Sequence, residues 1–393
     1  MKLRRTKVLL AAGIAFAAVA LVYSETTRAP QLPQVKLLRT PGGGIQPQTT
    51  VDSHGVLRMI YFTGDASAGN IEYVGRAPGA KAFSKPIRVN SQPESALAVG
   101  TVRGPQMALG RNGHVYVVWF GSAKAQPRGP DGSTPLLFSR LNASGTAFEP
   151  QRNLVRYAKG LDGGLSVAAD RNGDVYVVWH ANGKTPGEAH RRVYLARSTD
   201  DGRTFAREVP VSPAALGACG CCGMRAFVDR SGALFVLYRA AAENIHRDMT
   251  LLVSTDRGRT FRSEELSAWR LTACPMSTDY LSEGGQRVLA AWEKAGEVYF
   301  DKINPQTLQL SSSFAAPGQN SDRKHPAVAA NSRGQVLLAW TEGTSWGQGG
   351  SLAWQLFSAS GQPAGSAGHA PGVAAWDMPS VFTGPHGDFT IAY

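Results

Sequence analysis

Seven times along the chain a short turn closed by glycine feeds into a run of alternating apolar residues, and six of those runs end on Trp or Tyr. The clearest copy is Asp170-Arg-Asn-Gly-Asp-Val-Tyr-Val-Val-Trp179. Asn-Gly supplies the left-handed backbone of a tight hairpin, and Val175, Val177 and Trp179 alternate with Tyr176 and Val178 as a strand requires. The other copies close on Gly55, Gly113, Gly232, Gly285, Gly334 and Gly387, so successive glycines lie 58, 60, 59, 53, 49 and 53 residues apart. One hairpin cannot bury its own apolar face. A hairpin recurring at this period therefore predicts a propeller or solenoid, in which each unit is covered by its neighbours.

Each unit then repeats one order: hairpin, polar loop, third strand, second turn, fourth strand. Third strands are expected at Asn70–Val74, Leu136–Ser139, Val193–Arg197, Thr250–Val253, Val298–Phe300 and Leu352–Leu356. Six units are complete, while the seventh stops at Tyr393 after its second strand. Val35–Thr40 reads as a lone strand that adds to this unpaired edge and closes the ring from both termini. The expected fold is all-β, a propeller of four-stranded antiparallel blades, with seven blades favoured and six as the alternative.

Composition narrows the remaining choices. The formal charge of +12 falls to +8 once Lys2, Arg4, Arg5 and Lys7 are set aside, because residues 1–24 contain no acid. The other cations are scattered rather than gathered in a stripe, which argues against a nucleic-acid surface. Residues 1–24 have a basic start and an apolar run from Val8 to Val22, the form of a secretory signal cleaved after Ser24. Read otherwise, Val8–Tyr23 is an uncleaved membrane anchor, and this segment is the one expected membrane contact. Residues 25–34 read as a leader and 35–393 as one propeller domain, exported to a periplasmic or extracellular space and monomeric.

The second turns carry the sharpest motif. Ser198-Thr-Asp-Asp-Gly-Arg-Thr-Phe205 and Ser254-Thr-Asp-Arg-Gly-Arg-Thr-Phe261 share S-T-D-x-G-R-T-F, and Leu141–Phe148 is a third copy without the Asp. The Asp can accept from amides within the turn, Gly takes a backbone region costly for other residues, and Phe anchors the turn. These turns resemble the Asp-box, or BNR repeat, of the sialidase superfamily, and the resemblance extends as a repeat pattern over residues 35–393. It implies a propeller whose Asp-boxes lie opposite the ligand-binding face; it does not by itself transmit a function.

In an antiparallel blade the inner strand begins on the face where the second strand ends, so binding residues are expected at those two places. The first group includes Arg103, Asp162, Cys219–Arg225, Cys274, Arg323, His325 and Asp377; the second includes Phe120, His180, Arg239, Glu293, Glu342 and the loop 243–248. A sialidase clamps its substrate carboxylate with arginines and works on the glycosidic bond with acid and base groups. On that resemblance Arg103, Arg225 and Arg323 are the candidate clamp, Asp162 the acid/base and Glu293 a supporting carboxylate. The superfamily's Phe/Tyr-Arg-Ile-Pro segment is absent, Arg88 standing instead in Pro86-Ile-Arg-Val89, and no nucleophilic Tyr can be named. The ligand class implied is a carbohydrate or glycoconjugate, either hydrolysed or only bound.

All four cysteines fall on the same expected face, in Cys219-Gly-Cys221-Cys222 and Cys274-Pro-Met276. In an oxidising compartment they are expected to pair, with Cys274 bridging to the first cluster. The alternative is a thiolate site for copper or zinc at Cys219, Cys221, Cys222 and Cys274, with Met224, Met276, His180, His246 or His325 nearby. That alternative makes the protein a non-hydrolytic binding or metal-handling propeller.

Overall fold

The computed structural model describes residues 32–318 and 322–393. The signal or anchor segment and the leader as far as residue 31 lie outside the described residues. Pro33–Tyr393 forms one compact unit of six four-stranded sheets and one three-stranded sheet, a seven-bladed propeller. The six-blade alternative is thereby set aside.

From inner to outer strand, blade 1 comprises Ile45–Val51, Leu57–Asp65, Ala68–Arg76 and Ile87–Arg88. Blade 2 comprises Gln106–Leu109, Val115–Phe120, Leu136–Arg140 and Arg152–Asn153. Blade 3 is Leu165–Ala169, Val175–Ala181, Arg192–Ser198 and Val209–Pro210, and blade 4 is Met224–Val228, Leu234–Arg239, Met249–Ser254 and Arg262–Ser267. Blade 5 is Tyr280–Gly284, Arg287–Lys294, Glu297–Ile303 and Phe314–Ala315, and blade 6 is Arg323–Ala330, Val336–Glu342, Gly350–Phe357 and Pro363–Val373.

Blade 7 is closed by both ends of the described chain. Ser380–Thr383 pairs with Phe389–Ala392, and Val35–Leu38 adds in parallel to the latter, as the unpaired edge predicted. The closure continues with Thr40 N–H donating to Tyr393 O at 3.1 Å. Toward blade 1, the side chains of Thr49 and Ser380 meet at 2.7 Å.

The repeat builds the core. Val, Leu and Ile favour a pleated surface, and the second strands, covered on both faces, are apolar nearly throughout. Trp119, Trp179, Trp292 and Trp340 occupy the same position in four blades and are almost completely buried. Truncating any of them to Ala would cost about 3–5 kcal/mol.

The inner turns and the S-T-D-x-G-R-T-F turns share one face, here called the turn face, and both work as the sequence suggests. Asp52, Asp170, Asp229 and Asn331 each accept, through Oδ1, from amides two and four residues on at 2.8–3.1 Å. In the second turns, Asp200 accepts from Thr204 N–H at 2.9 Å and Thr204 Oγ1 at 2.7 Å, and Asp256 repeats this with Thr260 at 2.9 and 2.6 Å. Gly202 (φ +72°) and Gly258 (φ +77°) hold the left-handed position, each against the preceding blade. The variable residue reaches that blade too: Asp201 pairs with Arg111, and Arg257 with Asp174 at 2.5 Å.

Candidate functional site on the top face

The opposite, top face is where inner strands begin and second strands end. Below it runs a central channel of about 720 Å³ lined by all seven inner strands. Arg225, from blade 4, crosses the channel: its Nη1 donates to Gln48 Oε1 of blade 1 at 2.6 Å and to Gln106 Oε1 of blade 2. Its guanidinium carbon lies 4.6 Å from the centre of the Tyr280 ring of blade 5. Burial disfavours the charged form and lowers the pKa of Arg225, an effect opposed by Tyr280 and Asp279. Burial likewise pushes Asp279 up to about 7 despite Arg225 and Arg239.

The candidate arginines each have protein partners of their own. Arg323 is buried with Glu297 at 2.8 Å, Glu342 at 3.4 Å and the carbonyls of Ala316 and Pro317. Glu293 is buried too: it accepts from Gly296 N–H at 2.8 Å, Arg239 donates to its backbone carbonyl at 2.5 Å, and its pKa is raised by burial. Arg103 and Asp162 are brought together, Nη2 to Oδ1 at 2.5 Å, and this is the partly exposed pair of the set.

The remaining candidates hold loops in place. Asp377 accepts from Gln46 N–H at 2.6 Å and Met378 N–H at 2.8 Å, tying the start of blade 7 to blade 1, and burial raises its pKa to about 6. His180 accepts from Gly164 N–H at 3.0 Å, and burial with Arg191 nearby lowers it to about 4. His325 is lowered to about 3 by burial and Lys324. Arg247 pairs with Glu188 at 2.7 Å rather than with the adjacent Asp248.

A recess that the sequence did not single out opens beside Arg103. It measures about 120 Å³ and is bounded by Gly100, Thr101, the 274–276 segment, Lys324, His325 and the Thr344–Trp346 loop, with Trp376 behind. Trp346 is 58% exposed although its ring packs edge-to-face on Trp376 with centroids 4.7 Å apart. Arg103 and Trp346 flank Gly100, since a Cβ there would lie 2.4 Å from Arg103 Nη1 and 3.3 Å from the Trp346 ring. The signal was available: a Trp among glycines and polar residues, directly after the second strand of blade 6.

The four cysteines converge on the same face. Cys221 and Cys274 form a disulfide with Cα atoms 6.4 Å apart, the cross-blade bridge expected from the sequence, while Cys219 and Cys222 are free and buried. Cys219 Sγ lies 3.4 Å from Cys221 Sγ. A carboxylate oxygen of Glu188 and the sulfurs of Cys219, Cys221 and Cys274 all lie within 4.8 Å of one another, the group best placed to hold a soft cation if the bridge were open. Burial opposes ionisation of Cys222, but its hydrogen bond with Cys219 and the charge of Arg239 outweigh this and bring it to about 7; the same hydrogen bond and burial push Cys219 up.

The sequence matches no protein-family profile and no curated relative. Among solved structures, it is similar to a Penicillium chrysogenum α-L-arabinanase complexed with arabinobiose (12% identity, TM-score 0.53, covering 84% of this chain and 98% of that one). It is also similar to a protein of unknown function from Dyadobacter fermentans (13% identity, TM-score 0.53, covering 87% and 98%). A microbial sialidase, Hz136, aligns at 14% identity and TM-score 0.49 over 79% of this chain and 68% of that one. These likenesses are of fold. The chain is a seven-bladed β-propeller.

Proposed function

We propose that this propeller recognises a glycan on its top face, with Trp346 as the stacking platform. The observation that carries the reading is the exposed Trp346 ring, braced edge-on by Trp376 at the mouth of a polar recess. A large aromatic ring held in place and open to solvent offers a flat apolar surface, and the apolar face of a sugar ring can stack on it. Thr101, Lys324, His325, Thr344 and Ser345 supply polar groups around it. At about 120 Å³ the recess is smaller than a pocket for a whole ligand, which suits the terminal residue of a glycan. The likeness to an arabinanase complexed with arabinobiose supports this reading at the level of fold.

In the catalytic form of the reading, an exo-glycosidase, Asp162 is the acid/base and Arg103 its positioning partner. Binding is the part that the geometry supports best, because glycosidic cleavage calls for a second carboxylate across the bond and Glu293 is buried against Gly296 and Arg239. The basic, then apolar, start of the chain and the Cys221–Cys274 bridge support action outside the cytoplasm. A glycan array followed by calorimetry tests the proposal, with fluorogenic glycosides run in parallel. Trp346→Ala should abolish or weaken glycan binding at least about tenfold, as for a buried aromatic contact. Absence of any glycan ligand, or binding indifferent to Trp346→Ala, would overturn it. Turnover lost in Asp162→Asn would establish the catalytic form.

A further inference from the structure

The free pair Cys219 and Cys222 stands three residues apart in a turn whose Cys222 N–H faces Cys219 O at 3.4 Å, and the two side chains pack in one buried cluster. The turn is buried, with Ala241 beneath it. Cys219 also touches the sulfur of Cys221, whose disulfide partner Cys274 is exposed on the rim. Charges of both signs surround the thiols: Arg239 and Arg247 favour their thiolates, Glu188 and Glu293 oppose them, and Arg191 lies about 3.1 Å from where a Gly220 Cβ would stand. A buried pair of thiols, one with its sulfur 3.4 Å from a sulfur of a half-exposed disulfide, has the parts needed for thiol–disulfide exchange.

We propose that the four cysteines form an exchange site that passes the disulfide between the rim pair Cys221–Cys274 and the buried pair Cys219–Cys222, and that its substrate is the disulfide of another molecule. In the first step Cys219 gives its proton to solvent and its Sγ, 3.4 Å away, attacks Cys221 Sγ; the Cys221–Cys274 bond breaks, and its electron pair leaves on Cys274, which is protonated from solvent. In the second step Cys222 gives its proton to solvent and attacks Cys219 Sγ. The Cys219–Cys221 bond breaks, and Cys221 leaves as a thiolate that solvent protonates. One disulfide and two thiol groups enter and leave, so the transfer itself needs no oxidant.

The rim dithiol so formed can then attack an external disulfide, first as a mixed disulfide on Cys274 that Cys221 resolves. The external molecule gains two electrons as two thiols, and the chain ends with both bridges. This inference is independent of glycan binding.

The test uses the full chain secreted by an exporting host, incubated near neutral pH with oxidised glutathione, quenched in acid, alkylated and mapped by peptic digestion and mass spectrometry. The wild type should gain a Cys219–Cys222 linkage and release two glutathiones per chain. Cys219→Ala should lose both signals and keep only Cys221–Cys274. Cys222→Ala, blocked after the first step, should accumulate Cys219–Cys221 and carry one glutathione on Cys274. A wild type that keeps Cys221–Cys274 alone with two untouched thiols would overturn the proposal. So would glutathione placed directly on Cys219, or four free thiols with one copper or zinc per chain. Circular dichroism checks that the variants fold; if either does not, the wild-type linkage map decides.

Discussion

The two faces of the propeller are held by different kinds of contact. On the turn face the aspartates that close the turns find their partners nearby, Asp170 bonding residues 172 and 174, Asp200 bonding 204 and Asp256 bonding 260, while Asp174 and Asp201 pair with arginines of adjacent blades. On the top face and in the channel below it, partners come from far along the chain. Arg225 reaches Gln48 across 177 residues, Gln46 N–H reaches Asp377 across 331, and Cys221 reaches Cys274 across 53. Local contacts recur in blade after blade because each turn must be made in the same way. The distant ones occur once, and that is where a ligand site can differ from the scaffold that carries it.

Four experiments sharpen this contrast. The largest effect is expected in the channel: Arg225→Ala removes the donor to Gln48 and Gln106 and a cation that faces Asp279, and should cost about 3 kcal/mol in urea unfolding, as for a buried charged hydrogen bond. A loss under about 1 kcal/mol would mean that Arg225 is held there for a ligand rather than for stability. Next, Trp346→Ala should weaken glycan binding about 10- to 100-fold, that is about 1.4–2.8 kcal/mol, while the thermal midpoint stays put because the ring is already largely in solvent. A fall of several degrees would make Trp346 a structural residue instead.

A smaller effect is expected on the turn face. Asp200→Ala should lower stability by about 1 kcal/mol and leave ligand binding untouched, and Asp256→Ala should add to it nearly independently, since each turn is satisfied within itself. Altered binding in either variant would break the separation of the two faces.

The last test is one of pH. Although burial raises it, hydrogen bonds from the Thr204 amide and the Ser198 and Thr204 hydroxyls hold Asp200 at about 2, below its ordinary value, so its contribution is present above about pH 4 and lost as pH falls toward 2. Asp279, raised by burial to about 7, has the opposite sign: its contribution is full below about pH 4 and lost as pH rises through 7. Asp279→Asn should therefore flatten the decline of stability between pH 4 and 7, and Asp200→Asn should reduce only the acid limb. The Asp279→Asn change is smallest near pH 4, where Asn keeps the neutral form that burial already favours, and it grows in the stabilising direction as pH approaches 7. Chemical denaturation at several pH values reads both slopes.

Much of the fold was legible because propeller blades repeat local chemistry. The glycine spacing located the hairpins, the third strands fell where the alternation placed them, and the truncated seventh unit implied the closing strand at Val35–Leu38. The site was legible only in part. Position along each blade correctly assigned Arg103, Asp162 and the cysteines to one face, but the resemblance to sialidases grouped Arg103, Arg225 and Arg323 as a clamp. In the structure Arg225 is taken by channel glutamines and Arg323 by two glutamates and two carbonyls. Charged residue types alone do not reveal which neighbours will neutralise them once a ring closes. Trp346 and Trp376 lie outside every repeated motif, so the repeat pattern points to neither.

The sequence by itself determined what depends on a few neighbouring residues: seven hairpins, the hydrogen-bonded turns, the apolar second strands and the need for an edge strand to complete the ring. Tertiary structure alone decided which residues would meet once the ring was closed. It laid Arg225 across the channel, braced Trp346 on Trp376 and placed Cys219 against the Cys221–Cys274 bridge. Hydrogen bonds within a turn follow from backbone geometry over a span of four or five residues. The top-face contacts depend on how seven blades are rotated about a common axis, and no local stretch encodes that rotation.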